Sequence, residues 1–529
     1  MNNSLAVLLL YFSIFGCLSF VYSRNAIHMF QQQKYELRRY TKWLFNKNIL
    51  HYSPVFIYCF IQIVLFVLDK FVFDHNTICS LISLVVTIVF SIYVIDKETK
   101  KQYIKDLVIT KRVVRQIIVY VIILFFCINR LLQYDNVFIL GIAVIFGPYF
   151  LIYPMAIITY PIESLIKRHY INQAKLILYS MNDLIKIGIT GSYGKTSTKN
   201  IINDVISKDF FTLITPSSFN TPMGITKTIK EQLKPIHQVF LCEMGADKLE
   251  EISDLMEFVK PKFGIVTSIG PQHLATFKKM ENIVYEKMRE IELLPKDGVG
   301  FINVDNEYIN NYHIKNKCKI VRVGIKNTDA DYVAKNIKCS NKGTSFTVKI
   351  KNRNYKFTTC LLGEHNVTNV LFAIAVAIEL GIPVKNIAKN VKDIKQVEHR
   401  LEVKKINGFT IIDDAFNSNP VGSKMAVDVL KMMKGKRIIV TPGMIDLGDK
   451  QDDINYLFGK YLYKKADYVY LIGEKQTKQI YKGISDSGFD MKNVFVFANV
   501  KDALNTIFST YSIKDTILLE NDLPDAFNI

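Results

Sequence analysis

Five apolar runs crowd the first third of the chain, at 5–22, 54–68, 78–95, 117–132 and 137–160. So many long apolar stretches in so short a span constrain the fold, because a bilayer absorbs them more readily than a soluble core of that size. A membrane-spanning helix takes roughly 20 apolar residues. The first, third and fifth runs meet or approach that length. The second reaches it by extending through Asp69 and Lys70 to Phe73, and the fourth carries Asn129 and Arg130 near its end. Loop charge gives a direction. Segment 23–53 holds Arg24, Lys34, Arg38, Arg39, Lys42 and Lys47, and segment 96–116 holds Lys97, Lys100, Lys101, Lys105, Lys111, Arg112 and Arg115. The alternate loops hold only Lys70 and Arg130. Positive loops stay in the cytoplasm. The pattern predicts five helices, an outside N-terminus and a cytoplasmic chain after Tyr160. No positive charge precedes Leu5 and no small-x-small site follows the first run, so it reads as an uncleaved helix and not a signal peptide.

Beyond the runs comes "GITGSYGKTSTKN", residues 188–200. Leu184–Thr190 reads as a short buried strand, Gly191–Gly194 as a glycine-rich loop, and the polar stretch from Lys195 as the start of a helix. Strand, loop and helix in that order form a phosphate cradle. Backbone N–H groups of the loop and helix N-terminus face the phosphates, a lysine reaches the terminal ones, and a hydroxyl sits on Mg²⁺. Lys195 and Thr196 fill those two roles, with Gly191, Ser192, Gly194 and Ser197 around them. The strict motif wants glycine at 189, where this chain has Ile189.

Composition narrows the function classes. The 529-residue chain carries a formal charge of +19, +7 of it in residues 1–165 and +12 in the rest. A basic cytoplasmic part suits nucleic acid, anionic lipid or an acidic substrate. There is no zinc-finger spacing and no RNA-binding aromatic motif, so nucleic acid is not an expected partner. The eight cysteines form no CxxC pair, and those at 17, 59, 79 and 127 lie in apolar runs as small buried hydrophobes. After residue 400, apolar runs at 408–414, 436–441, 467–472, 493–497 and 515–519 alternate with helical stretches, a parallel α/β pattern. No G-x-G-x-x-G follows the first of them.

"TGSYGKTSTK" resembles the ATP loop of the Mur ligases, whose short form is TGxxGKT. Further stretches follow in that family's order: "FLCEMGA" (240–246), "TSIGPQHLATF" (267–277), "YEKMREI" (285–291), "FINVDN" (301–306), "GEHNVTNVLFAIAVA" (363–377), "HRLE" (399–402) and "DDAFNSNP" (413–420). The resemblance covers roughly 180–510 and is nearest to the branch that adds D-alanyl-D-alanine to UDP-MurNAc-tripeptide. It implies a P-loop ATPase-like central domain (166–396) and a Rossmann-like C-terminal domain (397–529), and the apolar runs and loop charges place an α-helical transmembrane domain (1–165) before them. It implies ATP and Mg²⁺ as cofactors. Thr196 and Glu243 would hold one Mg²⁺, and His273 and Lys287 a second, with Lys287 carbamylated so that it presents a carboxylate. Asn303, Asn366 and His365 fall where adenine is held, Arg400 where an arginine reaches the γ-phosphate, and Asp414 where an acid contacts the ribose. Asn220, Thr221 and Asn417 fall in the substrate cleft.

The implied reaction is amide formation. A substrate carboxylate attacks the γ-phosphate, and an amine then displaces phosphate from the acyl phosphate. Lys195, Arg400 and two Mg²⁺ would neutralise the charge that builds up, and closure of the C-terminal domain would bring in Arg400 and Asp414. The implied partners are a carboxylate-bearing cell-wall precursor or polymer and an amino acid, dipeptide or other amine. Three departures touch substrate choice. The five-helix segment stands where soluble members grip a uridine-linked substrate. "LLENDLPD" (518–525) replaces a Lys-Gly-Ser-Arg stretch, and "TPGMIDLG" (441–448) matches only loosely. Together with the basic charge they point to a lipid-linked or polymeric acidic acceptor at the inner leaflet, with anionic lipid as a further partner. A non-enzymatic nucleotide-binding scaffold is disfavoured because Lys195, Thr196, Glu243, His273 and Arg400 are all present.

Overall fold

The computed structural model describes residues 19–47, 53–72, 77–100, 106–132, 137–217, 219–415, 419–445, 447 and 450–521. The chain divides into two compact units, residues 1–168 and 169–529.

The first unit is helical. Four of the five apolar runs fall on helices: Ser53–Phe71, Thr77–Lys100, Lys111–Leu132, and the pair Val137–Phe150 and Ile152–Ser180. The run at 5–22 lies mostly outside the described residues. Among the described residues one helical stretch, Ile145–Ser180, is long and apolar enough to cross a membrane by length and composition. Helix also extends into two segments outside the apolar runs, one of them a basic loop of the expected topology. The basic segment 23–53 contains the end of a helix at 19–32 and the helix Leu37–Lys47. Tyr40, Trp43 and Leu44 are its buried face at i, i+3 and i+4, a stripe that the arginines and lysines between them mask in any running average. The stretch from Pro161 to Ser180, past the last apolar run, continues the helix Ile152–Ser180 with Pro161 inside it. Polar side chains bridge the helices: Tyr58 and Thr87 share a hydrogen bond of 3.0 Å, Ser83 donates to Gln62 at 2.7 Å, and Ser23 meets Tyr120 at 2.8 Å.

The second unit holds two sheets. The larger runs Thr212–Ile214, Val239–Glu243, Ile185–Thr190, Phe263–Val266, Val299–Asn303, Lys319–Gly324, Tyr332–Ser340, Gly343–Ile350 and Arg353–Thr359 in spatial order. Its strands are parallel up to Tyr332–Ser340 and antiparallel after it. Ile185–Thr190 pairs with Val239–Glu243 on one side and Phe263–Val266 on the other. The chain therefore winds away from it in both directions, and its carboxyl end is the switch point where open α/β sheets bind ligands. Two apolar clusters fill the opposite faces, one against helices Lys195–Ile206 and Glu364–Glu379, the other against Glu251–Val259 and Met280–Glu292.

The smaller sheet runs Glu402–Ile406, Phe409–Asp414, Thr516–Glu520, Arg437–Thr441, Tyr468–Ile472 and Val494–Phe497. Five of these strands lie within a residue of their expected positions. The sixth, Glu402–Ile406, is an antiparallel edge strand that its weak alternation hid. Its signal was Asn407-Gly408, both at positive φ (51° and 86°), the dipeptide of a tight hairpin.

Candidate active site

Ile189 is fully buried between Glu243 and Ile265 on the neighbouring strands, so the position calls for a core residue and not glycine. The loop proper starts at Gly191, at φ 142°. A Cβ on this residue would lie 2.2 Å from Thr267 Oγ1, which leaves no room for a side chain. Ser192 is buried; its hydroxyl donates to Gly270 O at 3.0 Å and its N–H to Ser268 O at 2.7 Å. What Ser192 offers a ligand is therefore loop shape. Gly194, at φ 82°, leads into helix Lys195–Ile206, with Thr196 and Ser197 in its first turn. Lys195 Nζ lies 2.6 Å from Gly191 O and 3.3 Å from Ser192 O. Burial pushes this amine down to about 8, with Glu243 opposing and Arg400 adding to the shift.

Glu243 ends its strand at the switch point and is the hub. Its Oε2 accepts from Thr196 Oγ1 at 3.0 Å and Lys199 Nζ at 3.1 Å, and its Oε1 from Asn220 Nδ2 at 3.2 Å. Lys199 is fully buried and also donates to Thr215 O and Ser217 O at 2.7 and 2.6 Å. Sequence reasoning missed Lys199. It stands one helical turn beyond Lys195, and that spacing was the available signal. Asn220, assigned to the substrate cleft, lies against Gly245 and orients Glu243. Thr221 accepts from Gly224 N–H at 3.3 Å and so caps helix Pro222–Gln232. Asn417 lies outside the described residues.

His273, at φ 56°, precedes the short helix Leu274–Phe277. Lys287 is buried and donates to Ala246 O at 3.1 Å. Burial pushes it down to about 7, with the Lys195 charge next in importance. One turn on, Glu290 is fully buried, and neither carboxyl oxygen has a hydrogen-bond partner among the described residues. Burial raises it to about 8. It too was missed, because in "YEKMREIE" it looks like one more surface charge.

Asn303 donates to Thr267 O at 3.1 Å, and Asn366 to Leu362 O at 2.9 Å. Asn369 donates to Asn366 Oδ1 at 3.1 Å and accepts from Thr198 at 3.0 Å, tying helix Glu364–Glu379 to the phosphate-loop helix. His365 packs on Gly363, and burial lowers it to about 4, so it is neutral at pH 7. The second sheet contributes Arg400 and Asp414. Burial lowers the Arg400 guanidinium, while Asp414 and Glu243 hold its charge. Asp414 accepts from Leu401 N–H at 3.2 Å, and burial, then Glu520, raises it to about 7. Glu520 is itself buried, accepting from Ser423 at 2.6 Å and from Thr441.

Lys195, Thr196, Glu243, Lys287 and Arg400 thus share one electrostatic neighbourhood. Among the described residues no group of three His, Cys, Asp or Glu side chains gathers to hold a metal. Thr196 and Glu243 offer hard oxygen donors side by side. That suits Mg²⁺, which keeps several waters and takes one or two carboxylates plus phosphate oxygens. Two nitrogens at His273 and Lys287 suit it less. The low Lys287 value favours the free amine that carbamylation needs, and a carbamate would supply oxygens.

Two family descriptions match the chain: the Mur ligase middle domain over residues 189–377, and the Mur ligase glutamate ligase domain over 399–520. A UDP-N-acetylmuramoyl-tripeptide–D-alanyl-D-alanine ligase from Bacillus subtilis is 30% identical over 339 residues, covering 63% of this chain and 72% of the relative. The Escherichia coli protein of that name is 27% identical over 276 residues, 52% of this chain and 61% of its own. The chain thus spans less than two thirds of some of these relatives. Among solved structures, the Thermotoga maritima MurF ligase in complex with ADP superposes with a TM-score of 0.61 at 20% identity, over 67% of this chain and 80% of that one. A MurF from Acinetobacter baumannii gives 0.60 at 23%, over 67% and 77%. Both show the fold shared by the two α/β domains. With that fold, the phosphate loop at its switch point and the Bacillus relative in agreement, the chain belongs to the Mur ligase family, ATP-dependent ligases that use ATP and Mg²⁺.

Proposed function

We propose that this chain is a membrane-held ligase that activates a substrate carboxylate with ATP and joins an amine to it during cell-wall or cell-surface polymer synthesis. The observation that carries the reading is the meeting of Lys195, Thr196 and Glu243, at the carboxyl edge of the first sheet, with Arg400 from the loop that leads into the second. Loop N–H groups and Lys195 would hold the β- and γ-phosphates. Arg400 would neutralise charge on the transferring phosphoryl group, worth several kcal/mol in a water-poor site. Lys199 and Asn220 fix the Glu243 carboxylate, and Mg²⁺ bound at Thr196 and Glu243 would offset phosphate charge. His273 and carbamylated Lys287 would hold a second ion beside the carboxylate. His365, Asn303 and Asn366 would line the adenine side, and Asp414 the ribose. Phosphoryl transfer is mostly positioning and electrostatics, so no serine or cysteine nucleophile enters.

Membrane attachment is supported by the outward faces of the first unit. Phe60, Val89 and Phe125, on three different helices, are 67%, 62% and 64% exposed among many other large apolar side chains. Apolar area on that scale marks a membrane or partner surface. The net charge of +19 favours an anionic leaflet and an acidic acceptor. The acceptor we favour is lipid-linked or polymeric. The relatives favour a second reading, the soluble UDP-linked tripeptide with D-alanyl-D-alanine as the amine. The deciding assay supplies purified full-length chain in detergent with ATP, D-alanyl-D-alanine and either acceptor, and follows amide product by mass spectrometry. Efficient product from the soluble tripeptide and none from lipid-linked acceptors removes the first reading. Lys195→Ala should lower turnover at least about a hundredfold with either acceptor. Unchanged turnover would remove the assignment of the site.

A further inference from the structure

The loop that presents Arg400 is held in an unfavourable backbone shape. The residues on either side of Arg400, His399 and Leu401, both have positive φ, at 56° and 51°. Histidine tolerates that region better than most side chains and leucine rarely adopts it, so two such residues flanking Arg400 need surroundings that enforce the shape. Here a ring of polar contacts does so. His399 donates Nδ1–H to Asp413 Oδ2 at 2.8 Å and its backbone N–H to Glu402 Oε2 at 3.1 Å. Lys404 Nζ lies 2.8 Å from Asp413 Oδ2 and 2.9 Å from Glu402 Oε2, closing the ring. Leu401 N–H is taken by Asp414, and Arg400 N–H by Val397 O at 3.1 Å. Asp413 is buried, which opposes its charge, yet the Lys404 and His399 hydrogen bonds hold it below the usual carboxylate range. The His399 side chain is 47% exposed, so it fills no core. Glu398, 3.7 Å from Nε2, is the other charge against the ring.

We propose that His399, Asp413 and Lys404 form a clamp whose work is to hold the strained loop so that Arg400 points at the terminal phosphate of bound nucleotide. His399 is a positioning residue and touches no ligand. The inference rests on the reading of Arg400 given above and adds the device that aims it. The clamp sits at the start of the second α/β domain, so it acts where that domain supplies its arginine to the phosphate loop of the first.

The test compares full-length chain in detergent binding Mg-ADP and Mg-bound β,γ-imido-ATP by calorimetry, since only the second ligand carries a γ-phosphate. His399→Ala removes the imidazole and leaves the backbone penalty, and it should weaken the imido analogue about tenfold while leaving ADP unchanged. His399→Gly removes both the imidazole and the penalty, so it should lose less. His399→Asn, which tolerates positive φ and can donate to Asp413, should come nearest the parent. Equal losses in all three variants, or an equal fall for ADP, would overturn the clamp. Arg400→Ala separates the two ideas. If it leaves the analogue-to-ADP ratio unchanged, the reading of Arg400 fails and the clamp with it. If it lowers the ratio and His399→Ala does not, the clamp alone fails.

Discussion

At the scale of single residues, the fully buried pair Lys199–Glu243 carries the most structural consequence. Lys199→Met takes the cationic partner from Glu243, which keeps its hydrogen bonds from Thr196 and Asn220, and leaves two carbonyls without their donor. Breaking a buried pair from one side costs about 3–5 kcal/mol. Equilibrium unfolding of the variant should show a loss of that size, together with weaker Mg-nucleotide binding because Glu243 is held by Asn220 and Thr196 alone. Glu290 behaves in the opposite way. Unfolded, its carboxyl ionises near 4.5; folded, it stays protonated to about 8. Between those values the unfolded chain holds fewer protons, so the contribution of Glu290 to stability is present at low pH and is lost as pH rises. Lys287 enters only above about 7, where its depressed value makes stability rise. From pH 5 to 7 Asp414 and His365 also titrate, and subtracting the parent from the Glu290→Gln variant cancels them. There Glu290→Gln should gain on the parent with each step up in pH, by about 1.4 kcal/mol per unit at most. A flat difference between denaturation midpoints at pH 5 and pH 7 would contradict the buried protonated acid. Neither residue stood out in the sequence, because a lysine or glutamate in a helical segment shows its burial only once the neighbouring strands are in place.

At the scale of elements, the strand before the phosphate loop and five strands of the smaller sheet were legible, while most strands of the larger sheet and several helices were not. Parallel strands buried on both faces read as apolar runs, as with "YVYLI" and "RIIVT". The edge strand Glu402–Ile406 and the helix Leu37–Lys47 have only one buried side, and charges dilute it. Caps are as local as strands. Asn419 accepts from Val421 N–H at 3.2 Å and Gly422 N–H at 2.8 Å, starting helix Pro420–Lys431 behind Pro420. Asn419→Ala should cost about 1 kcal/mol of stability, measurable as a shifted unfolding midpoint with an unchanged denaturant slope. Of the motif residues, Lys195, Thr196, Glu243 and Arg400 converge. Ser192 and Thr221 spend their hydroxyls on loop and helix geometry, a distinction that spacing alone does not carry.

For the whole molecule, the decisive property is the contrast between a helical unit with large outward apolar faces and a unit built of two covered sheets. If the first unit is seated in a bilayer, the full-length chain should stay with membranes through an alkaline carbonate wash and leave only with detergent. Release by carbonate alone would reduce the attachment to a peripheral one. The same contrast bears on the acceptor, because a substrate carried by lipid reaches a membrane-held site by diffusion in two dimensions.

By itself, the sequence determined the family through the order of its motifs, and through local pattern the cradle for phosphate, the strand before it, five strands of the smaller sheet and the helices on four apolar runs. These are local properties, set by periodicity, glycine positions and short spacings. Only the tertiary structure decided that Lys199 and Asn220 grip Glu243, that Glu290 lies buried beside the phosphate-loop strand, and that His399 and Asp413 brace the loop carrying Arg400. Each of those depends on which distant strands and helices share a wall. Burial and electrostatics there follow from neighbours tens to hundreds of residues away, and no window of sequence contains them.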